Sequence, residues 1–283
     1  MNKKLILVVA LLLLLSGCGI ISIGYNYADA YLRYSINSYT SFNDAQKETI
    51  KQEVNLFMLW HRKKMLPEYI RFLQAVQQTA QSGAVLKKED VARFRNEVRV
   101  LYVNTLQPAV RPAARLLSGI DAAQIQELEK SLAKENKKQK DKELGGDQDE
   151  RLRKRAERTV DFLENLVGGF NDKQLEQIRD MSHKLPFATG IYISQREHNQ
   201  ARLIELLKSH TGEEEIAAFI NSWLLTPEAI TSSEERSTMQ SFETASDAMI
   251  VSVYQMLTER QKKTLLKNIM KYIDTLQELA SKA

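Results

Sequence analysis

The 283-residue chain sets 40 Lys and Arg against 36 Asp and Glu, a net charge of +4. The two signs are interspersed, which excludes a basic wrapper of nucleic acid. A single cysteine excludes a disulfide framework, and 11 Gly with 5 Pro exclude a turn-rich β fold. Long stretches of Gln, Glu, Lys, Leu and Ala predict instead an all-α protein. Its expected form is an irregular multi-helix bundle of antiparallel helix pairs with a charged, hairpin-like excursion.

Met1 to Lys4 form a short cationic start, and Leu5 to Leu15 are eleven consecutive apolar residues, the length of a signal-peptide core and too short to span a bilayer. Ser16, Gly17 and Cys18 follow at once. Leu15-Ser16-Gly17-Cys18 resembles the lipobox of bacterial lipoproteins. The resemblance implies cleavage before Cys18, a diacylglycerol on its sulfur and an acylated amino group. It also implies, because Gly19 rather than Asp follows, transfer to the outer membrane of a Gram-negative bacterium, with the body facing the periplasm. Residues 1–17 are thus expected to be a signal peptide and 18–24 a lipidated, extended tether. Losing Lys3 and Lys4 lowers the net charge from +4 to +2.

Helices are predicted over Ala28–Tyr39, from Asn43, over Pro67–Gln81, Lys88–Leu106 and a short Pro112–Leu117, from Asp121, over Arg151–Val167, from Asn171, over Ile191–Ser209, Glu213–Leu225 and Glu234–Met256, and from Thr258. Ser82-Gly83, Ser118-Gly119, Gly145-Gly146, Gly168-Gly169 and Thr211-Gly212 are the stops. Tyr27, Tyr31 and Tyr34 recur at helical spacing; core packing is the reading taken for this face, and a bilayer surface is the alternative.

Four helix starts share one grammar: FNDAQKETI, IDAAQIQEL, FNDKQLEQI and LTERQKKTL. In each, Asn43, Asp121, Asn171 or Thr258 caps the helix, and Gln46, Gln124, Gln174 or Gln261 reaches back to the cap, a capping box written with glutamine. These elements, LTERQ most literally, resemble the LTxxQ element of the Spy and CpxP-like helical chaperones of the periplasm.

WHRKKMLPEY, residues 60–69, is predicted to be an elbow: Trp60, His61 and Arg62 close one helix and Leu66-Pro67 open the next, with Trp60 packing the bend and Tyr69 capping it. His61 and Arg62 are expected to complement the macrodipole of the helix they close. The alternative is a binding site at Trp60, His61, Arg62 and Tyr69 for a carboxylate or phosphate. With Cys18, Tyr25, Asn26, Gln46, Leu66 and Pro67, these residues resemble a family of uncharacterised bacterial helical lipoproteins, from which no activity carries over.

Residues 134–158 hold only Leu144 and Leu152 as large apolar side chains, so they cannot bury a face. A solvated helical tip is expected there. Arg151, Arg153, Lys154, Arg155 and Arg158 are the alternative contact set for an anionic surface. The segment separates a region 25–140 from a region 141–283.

The four histidines fit no metal-binding spacing, and no nucleophile motif or phosphate loop is present, so no metal, cofactor or covalent chemistry is expected. The expected function is non-catalytic: an envelope scaffold that binds another envelope protein, with no nucleic acid partner. A helical chaperone for exported or unfolded polypeptides is the first alternative, and a cell-envelope hydrolase the second.

Overall fold

The computed structural model describes residues 18–227 and 231–282, with side chains from residue 21 onward. The proposed signal peptide therefore lies outside the described residues, as does the side chain of Cys18. The described chain is all-α: α1 (Cys18–Asn26), α2 (Ala28–Asn37), α3 (Asp44–Trp60), a π turn (His61–Met65), α4 (Leu66–Gln81), α5 (Lys88–Ser118), α6 (Ala122–Leu144), α7 (Gln148–Val167), α8 (Asp172–Lys184), α9 (Thr189–Lys208), α10 (Glu213–Leu224), α11 (Ser233–Gln255) and α12 (Glu259–Ser281).

All four glutamine capping boxes form. Each glutamine Oε1 accepts its own N-cap backbone N–H, at 3.0 Å for Asn43, 3.0 Å for Asp121, 3.1 Å for Asn171 and 2.9 Å for Thr258. The side-chain amides then pair across the fold. Gln46 Nε2 donates to Gln124 Oε1 at 3.2 Å, and Gln124 Nε2 returns the bond at 2.7 Å. Gln174 and Gln261 do the same at 3.0 and 3.2 Å. The second amide hydrogen goes to the carbonyl two residues ahead of the partner's cap: Gln46 to Gly119, Gln124 to Ser41, Gln174 to Met256 and Gln261 to Gly169. This explains glutamine rather than glutamate at the third helical position. A carboxylate could accept the cap N–H but has no hydrogens for the partner.

Three apolar cores result. One joins Ile50, Val54, Val110, Ile125, Leu203 and Ile216, drawn from α3, α5, α6, α9 and α10. A second joins Ile21 and Tyr25 of α1 to Leu66 and Ile70 of α4 and to Ile269, Ile273, Leu276 and Leu279 of α12. The third joins Val160, Ile178 and Val253 of α7, α8 and α11. The first two cores take residues from both sides of the expected 140/141 boundary. The Gln46–Gln124 pair spans helix starts within the first core, and the Gln174–Gln261 pair ties α8 of the third core to α12 of the second. Arg95 of α5 grips Asp247 and Glu243 of α11 with its fork, at 3.1 and 2.7 Å, so the long helices are cross-braced.

Several boundaries differ from expectation. The elbow at 60–67 is not a break: a π turn, in which Leu66 N–H reaches the His61 carbonyl, carries α3 directly into α4. Pro67 has no N–H, and its ring clashes with the carbonyl four residues back in an α-helix. The wider π turn just before it relieves this, and the helix continues. Pro108 and Pro112 likewise lie inside a single helix, Lys88–Ser118, rather than between two. At the end of α9 the left-handed position is taken by His210, with φ of 52°, and not by Gly212. The segment expected as an extended tether is α1, with Ile21 and Tyr25 buried.

Replacing Gln46 with alanine strands the buried Gln124 amide, and replacing Gln124 strands the half-buried Gln46 amide, so each should cost about 1–3 kcal/mol in chemical denaturation. The double substitution should cost clearly less than the sum. Gln124→Ala with Gln261→Ala, in separate pairs, should instead be additive.

Candidate functional site

The π turn that absorbs Pro67 also turns one titratable side chain inward. His61 is 6 % exposed, among the rings of Tyr25, Phe57, Trp60 and Tyr69, whose centroids lie 5.5–6.4 Å from its own. Extra residues of this kind in helices frequently mark functional positions.

A hydrogen-bonded file runs through this histidine. Tyr25 Oη lies 2.9 Å from His61 Nδ1, His61 Nε2 lies 3.3 Å from Tyr69 Oη, and Tyr69 Oη lies 2.5 Å from Thr105 Oγ1. Thr105 Oγ1 lies 2.7 Å from the Leu101 carbonyl. The last contact sets the direction of all the others. A carbonyl only accepts, so the Thr105 hydroxyl donates to it, and Tyr69 must donate to Thr105. Tyr69 then accepts from His61 Nε2–H, which leaves Nδ1 bare to accept from the Tyr25 hydroxyl. His61 is therefore the neutral, Nε2-protonated tautomer. Burial acts the same way, pushing its pKa down from 6.5 to about 4. Burial also raises the Tyr25 hydroxyl to about 12, against the opposing pull of Arg62, and raises Tyr69, so both phenols stay protonated.

Arg62 closes this arrangement from outside. Its guanidinium stands 5.2 Å from the centre of the Tyr25 ring and donates to the Lys282 carbonyl at 3.2 Å and to Asn26 Oδ1 at 3.5 Å. The expected macrodipole partner was the end of Arg62's own helix. There is no helix end there, and the carbonyl it neutralises is at the C-terminus of α12. Tyr69, expected to cap an elbow, instead joins His61 to α5.

The structure thus brings Trp60, His61, Arg62 and Tyr69 together. Thr105, Asn26 and Lys282 complete the arrangement, and the sequence gives no signal for Thr105 or Lys282. With both imidazole nitrogens engaged and the file ending on a backbone carbonyl, the geometry suits a structural clamp joining α1, the π turn, α5 and the end of α12.

The second candidate set lies elsewhere. Arg151, Arg155 and Arg158 converge with His183 and Glu143 on a pocket of about 380 Å³ at the 145–147 tip. Arg155 donates to the carbonyls of Ser182 and His183 at the end of α8, at 2.6 and 3.1 Å, and Arg151 to those of Leu144 and Gly146. Arg158 is held by Glu143 at 3.3 Å, Arg153 by Glu157 at 2.7 Å and Lys154 by Glu150 at 2.6 Å. Each of the five cations has a partner within the chain: Arg151 and Arg158 brace the tip, Arg155 ties α7 to the end of α8, and Arg153 and Lys154 pair along α7 itself. Burial and the neighbouring Arg158 both lower the pKa of Arg155. Among the described residues no group of three or more His, Cys, Asp or Glu is placed to hold a metal ion.

Because His61 titrates near 4 when folded and near 6.5 when unfolded, the unfolded chain binds the extra proton between those values. Stability should be unaffected above pH 7, fall as the pH drops through this window, and lose about 3 kcal/mol in all by pH 4 from this residue. His61→Phe should cost about 1–3 kcal/mol at pH 7 by orphaning the Tyr25 hydroxyl, yet flatten that part of the pH profile. Denaturant midpoints measured from pH 8 to pH 4 check both.

No curated protein and no solved structure matches the chain. One family model does, over residues 38–236, from before α3 to the start of α11. With well over half of its length covered, the chain belongs to the family of unknown function DUF6279.

Proposed function

We propose that the protein is an outer-membrane lipoprotein facing the periplasm, a non-catalytic scaffold that holds a partner protein of the envelope at a fixed distance from the membrane. The observation that carries this reading is the junction at Cys18. The lipobox cysteine is the first residue of α1, and three residues later Ile21 is buried against α12. An acyl group on that sulfur would be tied to the body by less than one helical turn, about 5 Å of rise, and not by a flexible leash. Each buried methylene of the acyl chains contributes about 0.8 kcal/mol, and two or more chains give lasting attachment. Among the described residues no helix is long and apolar enough to cross a membrane. The closed His61 file supports a holding role over a chemical one, since neither ring nitrogen is offered to a substrate.

A chaperone is the second reading, favoured by one feature. An open groove of about 780 Å³ runs between α4 and α5, lined by the apolar Phe72, Val100 and Leu101 together with Glu68, Arg71, Glu89, Arg93 and Glu97. Apolar side chains among charges of both signs suit an extended polypeptide. Failure to suppress aggregation of a client at several-fold excess would remove this reading and leave the scaffold.

Mass measurement of the protein from its native envelope tests the anchor. The expected product lacks residues 1–17 and carries acyl chains at Cys18, and Cys18→Ser should accumulate with its N-terminus intact. A processed chain with a bare thiol would overturn the proposal.

A further inference from the structure

The face of α1–α2 turned away from the body is uncharged and aromatic. Tyr27 leaves helical geometry, with φ −104° and ψ 5°, but helical bonds span the junction: Tyr27 N–H bonds the Ile23 carbonyl and Tyr31 N–H the Tyr27 carbonyl, at 3.2 and 3.0 Å. Residues 18–37 therefore run as one nearly continuous rod. One side holds Ile21 and Tyr25, which are buried, with Leu32 and Ile36 partly so. The other side holds Ile23, Tyr27, Tyr31 and Tyr34, which are 60, 68, 43 and 73 % exposed. Core packing, the sequence expectation for these tyrosines, is thus overturned. In a chain that is 27 % charged, every exposed position from 23 to 38 is uncharged, while Asp29 and Arg33 are half-buried and paired at 2.9 Å. A helix that merely faced water would place its charges outward.

We propose that the Ile23, Tyr27, Tyr31 and Tyr34 stripe lies flat in the headgroup region of the bilayer that takes the Cys18 acyl chains, making α1–α2 an interfacial helix and fixing the orientation of the body on the membrane. This rests on the lipoprotein reading. Tyrosine suits the position because its ring enters the acyl boundary while its hydroxyl stays hydrated. The stripe starts five residues from Cys18, and Tyr34 lies about 24 Å along the axis, so a rod lying flat immerses every ring whereas an upright one wets only the first.

The test uses the chain from Cys18 onward, which contains the whole described fold. Its single thiol is coupled to a maleimide phospholipid in vesicles of phosphatidylethanolamine and phosphatidylglycerol doped with an acyl-brominated phospholipid. Attachment is thereby supplied whether or not Cys18 is acylated in cells, so failure of the natural anchor and failure of the stripe are read separately. Tyr27→Trp and Tyr34→Trp, each at an exposed site, should both shift to blue emission. Both should be quenched by the brominated lipid at least about twofold more than the native Trp60 and Trp223 background. Emission at the wavelength of hydrated indole, or quenching at position 27 without position 34, overturns the proposal. So does a dimer of the Cys18→Ser chain in sedimentation that Tyr27→Ser with Tyr34→Ser disperses, which would assign the stripe to a second copy.

Discussion

Four helix starts are joined two by two through side-chain amides, and the rest of the architecture is arranged around those junctions. A glutamine at the third position of a helix can satisfy its own cap with oxygen and still hold two hydrogens for another helix. Here both hydrogens are used, one on the partner amide and one on the backbone leading to the partner cap. The result fixes separation, orientation and axial offset of two helix N-termini at once, with no net charge buried. Apolar contacts between helices are tolerant of sliding; these bonds are not. With the first pair in place, Ile50 and Ile125 must face one another's core, and with the second, α12 is held against α8 and is positioned to receive α4 and α1.

The π turn solves a different problem on the same scale. Ile50 and Val54 belong to one core and Leu66 and Ile70 to another, although all four lie on one uninterrupted helical path. The change from one core to the other falls across the π turn, which carries His61 and Met65 inward between them. Neutrality of that imidazole is thus a product of how the path is bent, and the tyrosines about it, one from α1 and one from α4, are what make burial tolerable.

Local patterns were legible in the chain, and pairings at long range were not. All four glutamine caps, most of the glycine stops and the charged tip are written within windows of a few residues, where the hydrogen-bonding logic is self-contained. That Gln46 would meet Gln124, 78 residues away, is not written anywhere locally, because nothing in either cap distinguishes one partner from another. Pro67, Pro108 and Pro112 suggested breaks since the cost of an interior proline is a local quantity, whereas its acceptance depends on packing from α1, α10 and α12. The tyrosine stripe was misassigned for a related reason: period alone identifies a shared face, and only the tertiary arrangement shows that Ile21 and Tyr25 have already taken the side toward the body. At the candidate site, residues 60–69 stood out as a string, but Thr105 and the Lys282 carbonyl are ordinary in sequence and significant only in space.

Arg62 touches Asn26 with one nitrogen and the last turn of α12 with another, so the beginning and the end of the described chain share one corner of the molecule. A fluorescent or affinity fusion appended beyond Lys282 would therefore crowd the same corner from which α1 emerges. A reporter is better placed in an exposed connection that forms no bond with Asn26, Arg62 or Lys282, such as residues 83–85 between α4 and α5.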